Sequence, residues 1–462
     1  MGSYSEYKTI NLPWLTQIPT NWKLIRNKQF LQEKKIIVGN LSNQYTLLSL
    51  TLRGIIKRDL SEKKGKLPSS FDTYKIISPG DIVFCLFDMD ETPRTVGLSE
   101  YDGMLTGAYT VFQVHDINPQ FLYYYYLSVD NIKALKPLYT GLRKTIKIDT
   151  FLALKLPVPS RAEQDQIVRF LDWKVSEINK LIGIRRKEIQ ELEELKDNII
   201  FQATTSGLNK NVPMKRTGNR WLGTIPEQWD VVQVRRAYSV ILGKMLSLKP
   251  LDFTYTYENY VCAKDVHFDG VNLSNLKKMW FSTAEKKQYK IKTGDLLVVE
   301  GGAGAGNAAL VDEPLEHEVF VQNSIHIIRP KNNLTTNKFL AYWIKSLVRR
   351  DYMKFVCNVA TIPHYTKDKV MSTVMPLPPL KEQQEIVRYL ADESLKIENL
   401  INKKHSQITV LQELKGSLIS DVVTGKIDVR NIPVPAYEHV DDMVADGGEG
   451  NDEEPRIPGE ED

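Results

Sequence analysis

Three sets of residues have the types and spacing for catalysis, and each falls short of it. Gly301-Gly302-Ala303-Gly304-Ala305-Gly306 follows the apolar run Leu296–Glu300, and the backbone N–H groups of such a turn can cradle a phosphate. A P-loop adds Lys and Ser or Thr at the next helix start, where Asn307-Ala308 stands here. A dinucleotide fingerprint needs a helix and then an acid about twenty residues on, whereas Val319–Ile328 reads as one more strand. A tight turn joining two strands, able to approach a DNA phosphate, is the better reading. Glu62-Lys63-Lys64 and Glu285-Lys286-Lys287 have the Glu-x-Lys look of a metal-dependent nuclease, but the chain contains no Pro-Asp dipeptide to go with it. Pro378-Pro379 lies between Leu377 and Leu380, without the preceding Asn or Asp and the following aromatic residue that grip a flipped base in an amino-methyltransferase. The histidines are scattered and Cys85, Cys262 and Cys357 are isolated, so neither a paired-histidine metal site nor a four-cysteine zinc site is expected.

What the sequence does carry is cation. Arg53, Lys57, Arg58, Lys63, Lys64 and Lys66, with Arg143 and Lys144, fall between apolar runs of the first part of the chain. Lys277, Lys278, Lys286 and Lys287, with His364, Tyr365 and Lys367, do so in the second. Side chains in such loops can reach a phosphate or a base edge, and these are the candidate DNA-binding residues. The 462 residues hold 61 Lys+Arg against 57 Asp+Glu, a net charge of +4 that is unevenly spread. Residues 1–156 carry +6 and 208–375 carry +9, while 157–207 carry −1 and 376–437 are neutral. From Glu438 to Asp462 the charge is −10, without hydrophobic periodicity, which predicts a disordered acidic tail; keeping the protein soluble is its favoured role, mimicry of a polyanion against a basic surface the alternative. Two basic blocks are the footprint of a polyanion partner. No apolar run is long enough to span a membrane and the start lacks a signal peptide, so a reduced, cytoplasmic protein is expected.

The elements that must position these residues are written twice. Trp14-Leu15-Thr16-Gln17-Ile18-Pro19-Thr20-Asn21-Trp22 recurs as Trp221-Leu222-Gly223-Thr224-Ile225-Pro226-Glu227-Gln228-Trp229. Ser78-Pro79-Gly80-Asp81 answers to Lys292-Thr293-Gly294-Asp295, and Pro157-Val158-Pro159 through Glu163-Gln164 to Pro376-Leu377-Pro378 through Glu382-Gln383. Ile167-Val168-Arg169-Phe170-Leu171 matches Ile386-Val387-Arg388-Tyr389-Leu390. Each copy predicts a mixed α/β globular block followed by a long helix. Strands are expected at Asp81–Phe87 and Asp295–Val299, and shorter helices near 119–135 and 337–355. The tyrosines at 123–126 read as core packing, because their counterparts form an ordinary apolar helix.

In the helices, Leu171, Val175, Ile178, Ile182, Ile189, Leu192 and Ile199 follow a 4-3-4 spacing that Ile397, Ile401, Ile408, Leu411 and Leu418 repeat. Arg185 and Lys404 break the seam at matching places, as polar residues that set register do. The expected fold is therefore two tandem mixed α+β blocks, 1–156 and 208–375. Helices in 157–207 and 376–437 would pair as an antiparallel coiled coil with pseudo-twofold symmetry, and 438–462 would form the tail. From Glu163 to Ile200 a helix would reach roughly 57 Å, about one and a half turns of B-DNA. Phe170, Leu195, Tyr389 and Leu414 are left over from the seam for docking partners.

The doubled Trp-Leu-x-x-Ile-Pro-x-x-Trp opening, the doubled Pro-x-Pro-x-x-x-Glu-Gln helix start and the paired long helices resemble the specificity (S) subunit of type I restriction–modification systems, over about residues 1–432. The resemblance implies that each block is a target recognition domain reading one half of an interrupted double-stranded DNA site. It implies that the helices set the gap and dock two methyltransferase (M) subunits, with restriction (R) subunits completing a cleaving complex. S-adenosylmethionine, ATP and Mg²⁺ would then belong to the partners, leaving this chain non-catalytic and without cofactor. The alternative is a DNA methyltransferase or nuclease in its own right, using the glycine turn or the Glu-x-Lys triplets. The acidic tail is outside the family pattern.

Overall fold

The structure is a computed structural model describing residues 2–58, 70–357 and 363–441. The chain divides into two compact units: Met1–Glu188 with Lys403–Asp462, and Ile189–Asn402. Each unit therefore combines one globular block with part of both long helices, a grouping that the linear order of the blocks does not suggest.

Unit 1 is built around four short antiparallel strands, β1 (Leu31–Glu33), β2 (Ile82–Phe84), β3 (Val96–Leu98) and β4 (Thr110–Val114), in the order β1-β4-β2-β3. Unit 2 repeats that order with β5 (Tyr238–Leu242), β6 (Leu296–Val299), β7 (Ala308–Leu310) and β8 (Ile325–Pro330), arranged β5-β8-β6-β7. The strand expected over Val319–Ile328 is in fact two, Phe320–Val321 and β8, because a turn at Gln322 bonds back through the Ile325 N–H. The repeated Gly-Asp dipeptide has the same task in both sheets. Asp81 accepts from the Ser78 N–H at 2.9 Å and pairs with Lys34 at 2.6 Å. Asp295 accepts from the Lys292 N–H at 2.8 Å and pairs with Arg329 at 2.6 Å. Each carboxylate closes the turn into its strand and is buried, so its charge is matched by a cation from a neighbouring segment.

A helix packs on each sheet: α1 (Pro119–Asn131), capped by Asn118, and α3 (Asn337–Arg349), capped by Thr336. Tyr124, Tyr125 and Tyr126 of α1 are buried in the core of unit 1, where Phe84, Phe112, Tyr126 and Phe151 form an aromatic cluster with centroids 4.6–6.0 Å apart. Their counterparts in unit 2 are Tyr342, Trp343 and Ile344, of which Trp343 and Ile344 are buried and Tyr342 packs against the core.

The first proline of each Pro-x-Pro segment, Pro157 and Pro376, lies in a two-stranded ribbon. Lys155–Val158 pairs with Lys23–Arg26, and Val374–Leu377 with Asp230–Gln233. A strand with one open edge tolerates a residue that cannot donate. The long helices follow: α2 (Arg161–Ser206, 46 residues) and α4 (Leu380–Val423, 44 residues), each nearly 70 Å at about 1.5 Å per residue. Leu171, Ile178, Ile182, Ile189, Ile397 and Ile408 of the expected seam are buried, and Val175, Leu192, Ile199, Ile401, Leu411 and Leu418 are half-buried.

After α4 the chain turns back and runs along α2. Gln166 Nε2–H donates to the carbonyls of Val429 and Ile432 at 3.1 and 2.7 Å, and Asn179 Nδ2–H to that of Val440 at 2.9 Å. Ile427, Val429, Ile432 and Val434 pack on the unit 1 core. The helix stops at Val423, at the Thr424-Gly425 breaker, and residues 424–437, the last part of the second spacer segment, form a strap. Glu438–Asp441, expected as the start of a disordered tail, continue the strap, with Glu438 3.4 Å from Lys180. The remainder of the expected tail lies outside the described residues.

Candidate nucleic-acid interface

The sequence repeats anchor the loops to the helices. In unit 1, Glu163 in the first turn of α2 accepts from Trp22 Nε1–H at 2.9 Å, Tyr4 O–H at 2.7 Å and Asn21 Nδ2–H at 3.2 Å. In unit 2, Glu382 in the first turn of α4 accepts from Trp229 Nε1–H at 2.9 Å. The adjoining glutamines grip the short helices. Gln164 Oε1 accepts from the Asn118 N–H at 2.9 Å and Gln383 Oε1 from the Thr336 N–H at 3.2 Å, while their amides donate to the Pro159 and Pro378 carbonyls. The Trp opening and the Glu-Gln helix start are therefore two halves of one joint, made once in each unit.

The other long helix supplies the remaining wall. Gly425, just past α4, packs on Pro19 and Trp22 with φ +76°, and a Cβ there would sit 2.5 Å from Pro19 Cδ. Gly207, just past α2, packs on Trp229 and Glu382 with φ +70°, and its Cβ would meet Trp229 Cζ2 at 3.1 Å. Only glycine both adopts this left-handed backbone cheaply and leaves room for an indole.

With the blocks held in this way, the basic loops of unit 1 join into a patch. The hairpin Leu48–Thr51 and Gly54–Lys57 presents Leu52 and Arg53 at its turn. Arg94 Nη2–H reaches the Leu52 carbonyl at 3.5 Å, and the loop bearing Leu142, Arg143 and Lys144 bonds to residues 88–91. Arg143 lies 3.5 Å from Asp88 and 5.7 Å above the Phe87 ring, and Lys144 lies 3.1 Å from Asp90. The Lys144 bond holds the Asp90 carboxyl below its usual range, so a phosphate must displace a carboxylate to reach these cations. Lys57 sits 4.7 Å over the Tyr101 ring. Arg58 follows the hairpin, and its N–H donates to the Leu47 carbonyl at 3.0 Å. Lys63, Lys64, Lys66 and the Glu62 triplet lie outside the described residues.

In unit 2 the candidates separate into two places. Lys277 and Lys278 are exposed on the strand Lys277–Phe281, paired with Thr256–Val261, and neither makes an ion pair among the described residues. Lys287 is exposed nearby, but Lys286 is half-buried between Glu258 at 2.7 Å and Glu318 at 3.4 Å. The Glu285 triplet has a structural explanation: Glu285 and Ser282 form a capping box on the helix Thr283–Tyr289, and Glu285 pairs with Lys244 at 2.6 Å. His364 belongs instead to the glycine turn, which connects β6 to β7 as a hairpin; there Gly301 pairs with His364, and Lys367 opens the short helix Lys367–Ser372 that follows.

Two expectations need correction. Tyr365 is fully buried, with its hydroxyl 2.6 Å from Thr373 Oγ1 and its N–H bonded to the Glu300 carbonyl. It holds the glycine turn and cannot reach a groove. Phe170 is also fully buried, edge-on to Trp173, whereas Leu195, Tyr389 and Leu414 are exposed on the helices. The sequence did not single out the apolar side chains at the loop tips, Leu52, Leu142, Leu251 and Phe253, all largely exposed.

Among the described residues no group of three metal-ligating side chains occurs, and no helix is long and apolar enough to cross a membrane. Residues 86–194 and 226–410 match the family model described as Type I restriction modification DNA specificity domain. The MjaVIII type I restriction enzyme specificity subunit of Methanocaldococcus jannaschii is 25% identical over 298 residues, 61% of this chain and 64% of that protein. The EcoBI specificity subunit of Escherichia coli is 21% identical over 288 residues, 60% of this chain and 59% of that one. The chain thus spans less than two thirds of the length of these relatives. A chain solved in work on complex assembly and conformational transition of the type I R-M system superposes with a TM-score of 0.60 at 15% identity, over 89% of this chain and 99% of that one. That likeness concerns the fold. The family match covers more than half of the sequence and both repeats, and this chain belongs to the type I restriction–modification DNA specificity domain family.

Proposed function

We propose that the chain is a non-catalytic, sequence-specific subunit that reads a bipartite, interrupted site on double-stranded DNA, one half through each unit. In this reading α2 and α4 pair as an antiparallel coiled coil that sets the gap, with Glu188 as its polar clasp. Glu188 sits 2.8 Å from Arg185 and 2.9 Å from Lys404, the two matched breaks in the seam. The exposed Leu195, Tyr389 and Leu414 dock two methyltransferase subunits in the prokaryotic cytoplasm, and two restriction subunits join where the system cleaves. S-adenosylmethionine, ATP and Mg²⁺ act on those partners.

The observation that carries the proposal is the repetition of the joint: Trp22 with Glu163 and Gly425, and Trp229 with Glu382 and Gly207. Each unit takes the start of one long helix and the end of the other, which is what two equivalent readers on a shared spacer require. Selection from a randomised duplex pool, with and without a co-expressed methyltransferase subunit, tests it. Two short motifs at a constant gap are expected; a pool left unenriched with the partner present overturns the reading.

A further inference from the structure

The loop after β5 in unit 2 has a composition that folding does not explain. Met245, Leu246, Leu248, Leu251 and Phe253 are all exposed, Leu251 by 83% and Phe253 by 97%. An apolar patch of this kind on a folded domain marks a binding surface. The loop is not slack. Its base is fixed by the Lys244 N–H donating to the Val321 carbonyl at 3.0 Å, and by Lys244 Nζ donating to the Trp280 carbonyl at 2.7 Å. Its middle is tied where the Trp280 N–H donates to the Ser247 carbonyl at 3.2 Å and Ser247 Oγ–H to the Lys249 carbonyl at 3.1 Å. Beyond that, Asp252 Oδ1 accepts from the Thr254 N–H at 2.7 Å, a local turn that sets Phe253 at the tip. Tyr257, beside the loop, leans on Trp280 with centroids 5.2 Å apart.

The charge around this apolar tip selects the partner. Lys249 lies within the loop, and Lys277 and Lys278 on the strand tied to it; all three are exposed, and none makes an ion pair among the described residues. Leucine and phenylalanine flanked by free lysines are what a duplex-bending wedge needs: cations neutralise the phosphates while the apolar side chain enters an unstacked base step. Unit 1 carries the same pairing of types at its tips, Leu52 with Arg53 and Leu142 with Arg143.

We propose that Leu251 and Phe253 are an apolar wedge that enters the base stack of duplex DNA, steered there by Lys249, Lys277 and Lys278. This rests on the proposed DNA-reading function and adds shape readout, through the ease with which a given base step opens, to contacts with base edges.

The test uses the full chain, a short dye-labelled mixed-sequence duplex and low salt. The double variant Leu251→Ala/Phe253→Ala is expected to bind roughly tenfold more weakly with an unchanged slope of log affinity against log salt, since no ionic contact is lost. Phe253→Trp is expected to show indole emission quenched on adding duplex, beyond any change in the parent chain, as stacking on bases requires. Parent-like affinity for the double variant together with unquenched Phe253→Trp emission overturns the wedge and leaves the loop to a protein partner or a second copy. A parent chain that binds no duplex at low salt overturns instead the DNA-reading function beneath it.

Discussion

The Trp22 indole donates to Glu163 at 2.9 Å across 141 positions of sequence, and Glu163 also satisfies Tyr4 and Asn21. It is a buried carboxylate, and its loss strands the two buried donors, Trp22 and Tyr4, while the exposed Asn21 amide turns to solvent. Glu163→Ala is expected to destabilise unit 1 by about 3 kcal/mol, and Glu163→Gln, which keeps an acceptor, by about 1 kcal/mol. Urea unfolding measures both; a loss for Glu163→Ala below that of the Gln variant would dismiss the joint as an organising contact.

His326 predicts a pH dependence for unit 2. It is fully buried, and burial pushes its pKa down to about 4, so the folded ring is neutral and donates from Nε2–H to the Tyr365 carbonyl at 3.0 Å. In the unfolded chain the ring takes a proton at its ordinary value of 6.5. Stability from this group is complete above that value, falls as pH drops from 6.5 towards 4, and then levels off. At pH 5 the loss relative to pH 7.5 is about 2 kcal/mol. Denaturation series at the two pH values should show it in the parent and not in His326→Gln; equal slopes in both would mean that another group is responsible.

The strap after α4 is expected to be part of the unit 1 core. Ending the chain after Lys426 removes Val429, which is fully buried, and the partly buried Ile427, Ile432 and Val434. After the ordering entropy is deducted, the net loss is about 3 kcal/mol. Ending it after Asp441 should leave thermal unfolding where it was. A midpoint unchanged by the longer deletion would show the strap to be dispensable.

Lys277 and Lys278 offer a test of where phosphate is held. As exposed cations they should contribute affinity without sequence preference, so Lys277→Ala/Lys278→Ala is expected to lower the slope of log affinity against log salt by about 2. Lys286→Ala, whose parent side chain is already engaged by Glu258 and Glu318, should leave the slope nearly unchanged. A larger slope change from Lys286 would move the interface to the other side of that strand pair.

The repeats make the architecture legible in the sequence alone. Trp22 and Trp229, Asp81 and Asp295, and Glu163-Gln164 and Glu382-Gln383 are matched in sequence because each pair closes an identical local joint or turn. The burial of the 4-3-4 positions was legible for the same reason, since helical periodicity is a property of neighbouring residues. What only the tertiary structure decided is everything that depends on distant segments meeting. Gly425 had to be glycine because Pro19 and Trp22, some four hundred positions earlier, press on its Cα. Residues 426–441, past the helix-ending Thr424-Gly425, read as the remainder of a spacer segment and a free tail, yet their apolar side chains found the open side of α2 and became a strap. Tyr365 resembled an exposed base reader between His364 and Lys367, until the glycine turn folded over it. The same blindness hid Phe253, because an apolar residue in sequence carries no mark of whether a core will be there to receive it.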